Sequence, residues 1–251
     1  MKREKNQCAV ETDNYPSLPS PTWNKMIALF GVFLFCFSAC TTKINSTEEL
    51  MKEISSRYNG KWFTQLSFSQ TVYRYENDTL VSTEINDEAY SFPTNLTIYR
   101  TQGDTSNRYV YKNDFEFIYE NNELISERKI THDAIIIGWD FYNMTFPEIM
   151  KRWEDMSYDI TKFHEIVDNG RKIYVIGADK GDSLSPQVWF DAEHLYCIKV
   201  QRNIPERGLR ETLSLNQLSL GDKGWIEQEV VFKANGKVTT IEKYFNIQVI
   251  K

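Results

Sequence analysis

The sequence predicts an α+β domain that is mainly antiparallel β, with an amphipathic helix at its start and a short second helix in mid-chain. Three observations carry this. Ser46, followed three positions on by Glu49, opens a stretch in which Leu50, Met51, Ile54 and Tyr58 fall at helical spacing. From Lys61 onward, short segments alternate apolar and polar residues with the period of two that a half-buried strand requires. Phe146-Pro147-Glu148-Ile149-Met150-Lys151-Arg152-Trp153 breaks that rhythm and places proline in a first helical turn, where its missing N–H costs nothing.

Ahead of these elements lies a segment of another kind. Residues 26–39 read MIALFGVFLFCFSA, an uncharged run between Lys25 and Cys40, which is the layout of a signal peptide. A spanning helix needs about 20 apolar residues, and polar residues follow this shorter run directly. Phe37-Ser38-Ala39-Cys40 resembles the lipobox of bacterial lipoproteins. That resemblance implies a diacylglycerol on the Cys40 thiol and cleavage just before it. Phe37 stands where leucine is commoner, yet keeps a large apolar side chain. Residues 1–24 leave two alternatives open: Lys2, Arg3 and Lys5 form the positive end of a long leader, or translation begins nearer Met26. The expected organisation is residues 1–39 as signal peptide with an N-terminal extension, 40–45 as a lipidated tether, and 46–251 as a single β domain.

Such processing defines what the mature body contains. Cys8 and Cys36 leave with the signal segment and Cys40 is acylated, so Cys197 stands alone and reads as a small core residue. Residues 1–39 carry four basic and three acidic side chains, so their removal makes the body one charge more negative than the −6 of the whole chain. An acidic body without a basic run lacks the electrostatic footprint of a nucleic-acid or anionic-surface binder. Membrane attachment therefore falls to the lipid.

Each element of the body has its own justification. Asn59-Gly60 closes the opening helix. In WFTQLSFSQTVYRY, Leu66, Phe68 and Val72 alternate with Ser67, Ser69 and Thr71. Similar alternation, or short β-branched and aromatic runs, recurs at 96–100, 109–111, 115–119, 124–130, 172–176, 188–190, 195–201, 209–218, 226–232 and 238–249. Asn77-Asp78, Asn113-Asp114, Asn121-Asn122, Asp168-Asn169-Gly170, Gly221-Asp222 and Asn235-Gly236 supply the turns between many of them. A large meandering sheet of hairpins follows.

A wide sheet with a helix at its start and another in its middle, in an exported chain, resembles the LolA/LolB lipoprotein-carrier superfamily. The likeness is carried by the helix before the phenylalanine-rich strand 63–75, by the hairpin FEFIYENNELISE, and by VWFDAEHLYCIKVQR. The last is similar to the family's tryptophan strand, aspartate turn and basic-ended return strand. It implies an open half-barrel whose concave face is covered by helices, with a cavity for acyl chains between them. The arginine that latches the soluble carrier's lid, and the exposed leucine of the anchored receptor's loop, match no position here. Thr41 and Thr42 lack the aspartate that resembles an inner-membrane retention signal, which points to the outer membrane, facing the periplasm.

The functional expectation is a membrane-anchored envelope lipoprotein that binds a lipid, acyl chain or lipoprotein-like ligand. Leu50, Met51, Ile54, Tyr58, Leu66, Phe68 and Val72 are the candidates for its hydrophobic cavity or lid. The alternative is a non-catalytic structural or interaction module with a filled core. A lid over open space predicts that Met51→Ser with Ile54→Ser costs less than about 2 kcal/mol, well below two filled core sites. The chain holds no HExxH, GxSxG, P-loop or paired-cysteine zinc motif, and His132, His164 and His194 read as surface or rim residues. No enzyme activity, metal site or cofactor is expected.

Overall fold

A computed structural model of the chain describes residues 43–250; the signal-peptide and Cys40 readings lie outside them. The first element is helix α1 (Thr47–Tyr58). Ser46 Oγ accepts from the Glu49 N–H at 3.1 Å, and the Glu49 carboxylate reaches back to the Asn45 N–H at 2.7 Å. The first bond satisfies an orphan donor of the helix start, and the second fixes the chain that enters it.

Strands β1 (Gln65–Glu76), β2 (Thr79–Ser91), β3 (Asn95–Thr101), β4 (Asp104–Lys112), β5 (Phe115–Glu120) and β6 (Glu123–Lys129) follow. A helical link comes next, made of α2 (Asp133–Gly138), a 3-10 turn (Asp140–Asn143) and α3 (Phe146–Met156). The chain finishes with β7 (Phe163–Asp168), β8 (Arg171–Ile176), β9 (Gln187–Asp191), β10 (Cys197–Ile204), β11 (Gly208–Ser219), β12 (Trp225–Ala234) and β13 (Lys237–Val249). All the strands belong to one antiparallel sheet in the order β6-β5-β4-β3-β2-β1-β13-β12-β11-β10-β9-β8-β7.

Two meanders, β1 to β6 and β7 to β13, are thus sewn together by their outermost members in sequence. β1 pairs with β13 from Leu66 opposite Val249 to Arg74 opposite Thr240. The remaining edges, β6 and β7, are sequence neighbours at opposite ends of the sheet. The helical link must therefore run from one edge to the other.

The hairpins turn as the sequence demands. Asn77-Asp78, Asn113-Asp114, Asn121-Asn122, Asn169-Gly170 and Asn235-Gly236 all have positive φ at both residues. That is the primed-turn geometry matching the twist of the flanking strands, and asparagine and glycine tolerate it best. Gly224 has φ of +90°, and a Cβ there would lie 2.3 Å from the Trp62 ring, so backbone and indole fit only without a side chain. Trp62 in turn stacks on Tyr142 with centroids 4.0 Å apart.

The core lies between the helical segments and one face of the sheet. Phe141 and Trp153 meet edge to face, as do Trp139 and Tyr90. Leu50, Met51 and Ile54 are 0% exposed and belong to this cluster. The expectation that the α1 stripe roofs a partly empty space is corrected here: these side chains border no space that water could enter. The reason is that α1 packs beside α3 and the 3-10 turn, with Thr47 Oγ donating to the Ile160 carbonyl at 2.8 Å and Ser55 Oγ to the Met144 carbonyl at 3.3 Å.

Ile54→Ala is therefore expected to lower the unfolding free energy by about 2–5 kcal/mol, the range for truncating a filled core site. Urea titration followed by tryptophan fluorescence measures it. A loss below about 1 kcal/mol would restore the lid reading of α1.

Candidate functional site

The space that α1 does not cover lies under α2. There β2, β3, β4, β11, β12 and β13 present Glu88, Leu96, Ile98, Tyr111, Thr212, Ser214, Glu227, Val230, Phe232, Glu242 and Tyr244 to a cavity of about 210 Å³. His132, Ala134 and Ile135 form its other wall. Two further cavities, of about 260 and 520 Å³, adjoin it through Tyr111 and His132 and through His132, Ala134 and Thr212. His132, the residue before α2, therefore borders all three.

Why α2 sits there follows from its ends. Asp133 accepts from Arg202 of β10 and from the Tyr158 hydroxyl at 3.0 Å. Arg202 also donates to the Met156 carbonyl at 2.8 Å and lies 4.8 Å from the Tyr158 ring centroid, so one guanidinium gathers α2, α3 and the sheet. Farther along, Asp140 accepts from the Tyr90 hydroxyl at 2.5 Å, from the Thr94 N–H at 3.0 Å and from the Thr94 hydroxyl. Arg152 of α3 forms a two-pronged pair with Asp114 in the β4–β5 turn, at 2.8 and 3.1 Å. Planar guanidinium and carboxylate groups suit that geometry. These ties hold the link to both halves of the sheet.

The lining has an unusual electrical character. Glu88, Glu227 and Glu242 line the cavity, and among the described residues none of them has a salt-bridge partner. Burial pushes the Glu88 carboxyl well above its ordinary range, and the charge of Glu242 adds to the shift. Burial likewise raises Glu242 to about 7, with Arg74 pulling the other way. Burial raises Glu227 too, while the Trp139 indole N–H, 3.3 Å away, opposes it. Part of the surface of Glu227 and Glu242 stays accessible, and it faces the cavity. Burial lowers His132, so its imidazole is held neutral.

Placement of the sequence-derived candidates is now plain. Leu66, Phe68 and Val72 lie buried on β1, with the Phe68 ring 4.4 Å from that of Tyr244, a cavity-lining residue. Tyr58 is half-buried and its hydroxyl donates to the His194 carbonyl at 2.5 Å. Leu50, Met51, Ile54, Tyr58, Leu66, Phe68 and Val72 are all absent from the walls of these three cavities. Cys40 lies outside the described residues. Cys197 is buried and free, and burial raises its thiol, as befits a core residue. Asp191 accepts from the Glu193 and His194 N–H groups and from the His194 ring, which makes it the organiser of its turn.

No protein-family model and no curated sequence matches this chain. Solved structures do. An outer membrane lipoprotein-sorting protein domain from Vibrio parahaemolyticus superposes with a TM-score of 0.50 at 15% identity, covering 80% of this chain and 91% of the other. The chain has a LolA-like fold. A DUF1329 family protein from Desulfovibrio piger superposes on the LolA-like domain at 0.51 and 11% identity, over the same shares of both chains. A LolA superfamily protein from Nitrosomonas europaea gives 0.48 at 9% identity, covering 83% and 95%, too loose a fit to add weight. At these identities the likeness concerns the fold alone. Among the described residues, no helix is long and apolar enough to cross a membrane.

The buried carboxyls predict a pH dependence of stability. Between the ordinary glutamate value of 4.5 and about 7, folded Glu242 keeps a proton that the unfolded chain has released. Its contribution therefore falls as pH rises, by up to about 1.4 kcal/mol per pH unit. His132, lowered from 6.5, works in the opposite sense below that value. Comparing Glu242→Gln with the parent chain isolates the carboxyl: the variant should gain on the parent by about 1–3 kcal/mol between pH 5 and pH 8. Urea midpoints at both pH values decide it, and an unchanged difference would refute the buried-acid assignment.

Proposed function

We propose that this chain is an exported lipoprotein, anchored through Cys40, that takes the apolar part of an amphiphilic ligand into the cavity beneath α2. The single observation that carries the binding half is the cavity itself, set between the link and the sheet and lined on its apolar side by Leu96, Ile98, Ile135, Val230 and Phe232. At about 210 Å³ it exceeds the roughly 150 Å³ space in which an apolar cavity takes up benzene. It is smaller than most sites for drug-sized ligands, which run from about 300 Å³. A long chain would therefore extend into the adjoining cavities. Family resemblance supports the same reading, since the Vibrio domain is described as a lipoprotein-sorting protein.

The filled-core alternative has its own support in the tightly packed α1 side of the interior. Both descriptions hold of different regions: filled beneath α1, open beneath α2. Anchoring rests on the lipobox residues Phe37 to Cys40 and on the polar stretch behind them. An acyl tether keeps the protein at one membrane, which suits a receptor or local lipid-handling role over a freely diffusing carrier. Envelope location, with the outer membrane favoured by Thr41 and Thr42, belongs to the same proposal.

Filling the cavity should abolish binding while leaving the fold. Ser214→Phe is expected to reduce the affinity for a decyl-chain ligand at least tenfold, measured by calorimetry, with the circular dichroism spectrum unchanged. Equal affinity in the variant would place the ligand elsewhere. Cys40→Ala should abolish metabolic labelling with palmitate and leave an unprocessed precursor; continued labelling would remove the anchor assignment.

A further inference from the structure

We propose that the cavity beneath α2 recognises its amphiphile through a primary-ammonium head group, received among Glu88, Glu227 and Glu242. This rests on the apolar-ligand reading above and adds the chemistry of the head.

The donor and acceptor inventory of the site is lopsided. Among the described residues, no lysine or arginine lines the cavity, whereas three carboxyls do, one each from β2, β12 and β13. Glu88 is 5% exposed and, among the described residues, has no ion-pair partner. Among the described residues, the Gln70 side chain is the polar group that favours its charged form.

A second observation is independent of the acids. Gln70 is 1% exposed and Asn86 is 5% exposed, and they sit opposite each other on β1 and β2 beside Glu88. The Oε1 of Gln70 and the Oδ1 of Asn86 both lack a hydrogen-bond donor among the described residues. Buried acceptors left unmatched cost on the order of 1–3 kcal/mol each. Beside Glu88, then, two buried acceptors stand without a donor.

An ammonium group supplies what is missing. It carries three N–H donors and no acceptor, and its positive charge stabilises the ionised form of acids that burial otherwise favours protonated. A carboxylate or phosphate head brings acceptors and no positive charge, and repels the acids in their ionised form, while an alcohol brings one donor and no charge. The apolar wall of Leu96, Ile98, Val230 and Phe232 takes the adjoining methylene groups.

The test compares heads on one tail. Decylamine, decanol and decanoate, each below its micellar concentration, are titrated calorimetrically into the full chain at pH 7. Decylamine is expected to bind at least tenfold more tightly than decanol, with decanoate weakest. Glu88→Gln with Glu242→Gln should bring the amine down to the affinity that decanol shows for the same variant; should that pair not fold, Glu227→Gln alone should narrow the gap. Equal binding of the three, a preference for decanoate, or variants that keep the amine preference would overturn the ammonium assignment and spare the apolar cavity. Binding of none would overturn the cavity reading and this inference together.

Discussion

The interior depends on one topological constraint: the two edges of the sheet, β6 and β7, are adjacent in sequence and far apart in space. The residues between them must bridge the sheet, and a bridge of backbone over an apolar face has to satisfy its own polar groups. Short helices do that internally. Side-chain ties then fix them in place, from Arg202 to Asp133, from Tyr90 and Thr94 to Asp140, and from Arg152 to Asp114. Packing and polarity divide the labour. Trp139, Phe141 and Trp153 bring area, while the charged ties set where along the sheet each helix comes down.

Where the bridge presses close, the interior is solid, and where it lifts, beneath α2, space remains. The polar residues behind that space would be a poor choice for a protein selected for stability alone. Glu88 under α2 could be replaced by an apolar side chain of similar size with no loss of any salt bridge, because among the described residues it has none. A buried acid without a counter-ion is a cost to folding.

Much of the architecture was legible before any coordinates. Hairpins announced themselves because Asn-Asp, Asn-Asn and Asn-Gly pairs stand where both turn residues need positive φ. The α1 and α3 starts were legible from Ser46 with Glu49 and from Phe146-Pro147. Two strands are not legible in the sequence. In β2 the inward positions include Asn86 and Glu88 while Leu80, Val81 and Ile85 lie exposed, so its polarity pattern runs against its burial. The edge strand β7 is short and half polar. Nor is α2 legible there, because Ile135-Ile136-Ile137 buries nearly all round and carries no periodicity. The site suffered most from this. The α1 stripe is apolar as its spacing predicts, but spacing cannot distinguish a lid from a core, and the cavity beneath α2 is lined from six strands and a helix that sequence proximity does not connect.

The seam between β1 and β13 ties the first strand of the domain to the last. Synthesis delivers these partners some 170 residues apart, since Leu66 meets Val249 and Arg74 meets Thr240. Contacts so distant in sequence fold slowly, because a long loop must close before any of them forms. Until the final strand arrives, β1 is an open edge with a row of unmet amides and carbonyls, the kind of template that invites pairing with another chain. A nascent chain of this protein is therefore vulnerable for nearly its whole length, and a truncation that removed β13 alone would leave two half-sheets with exposed seams instead of a slightly smaller domain.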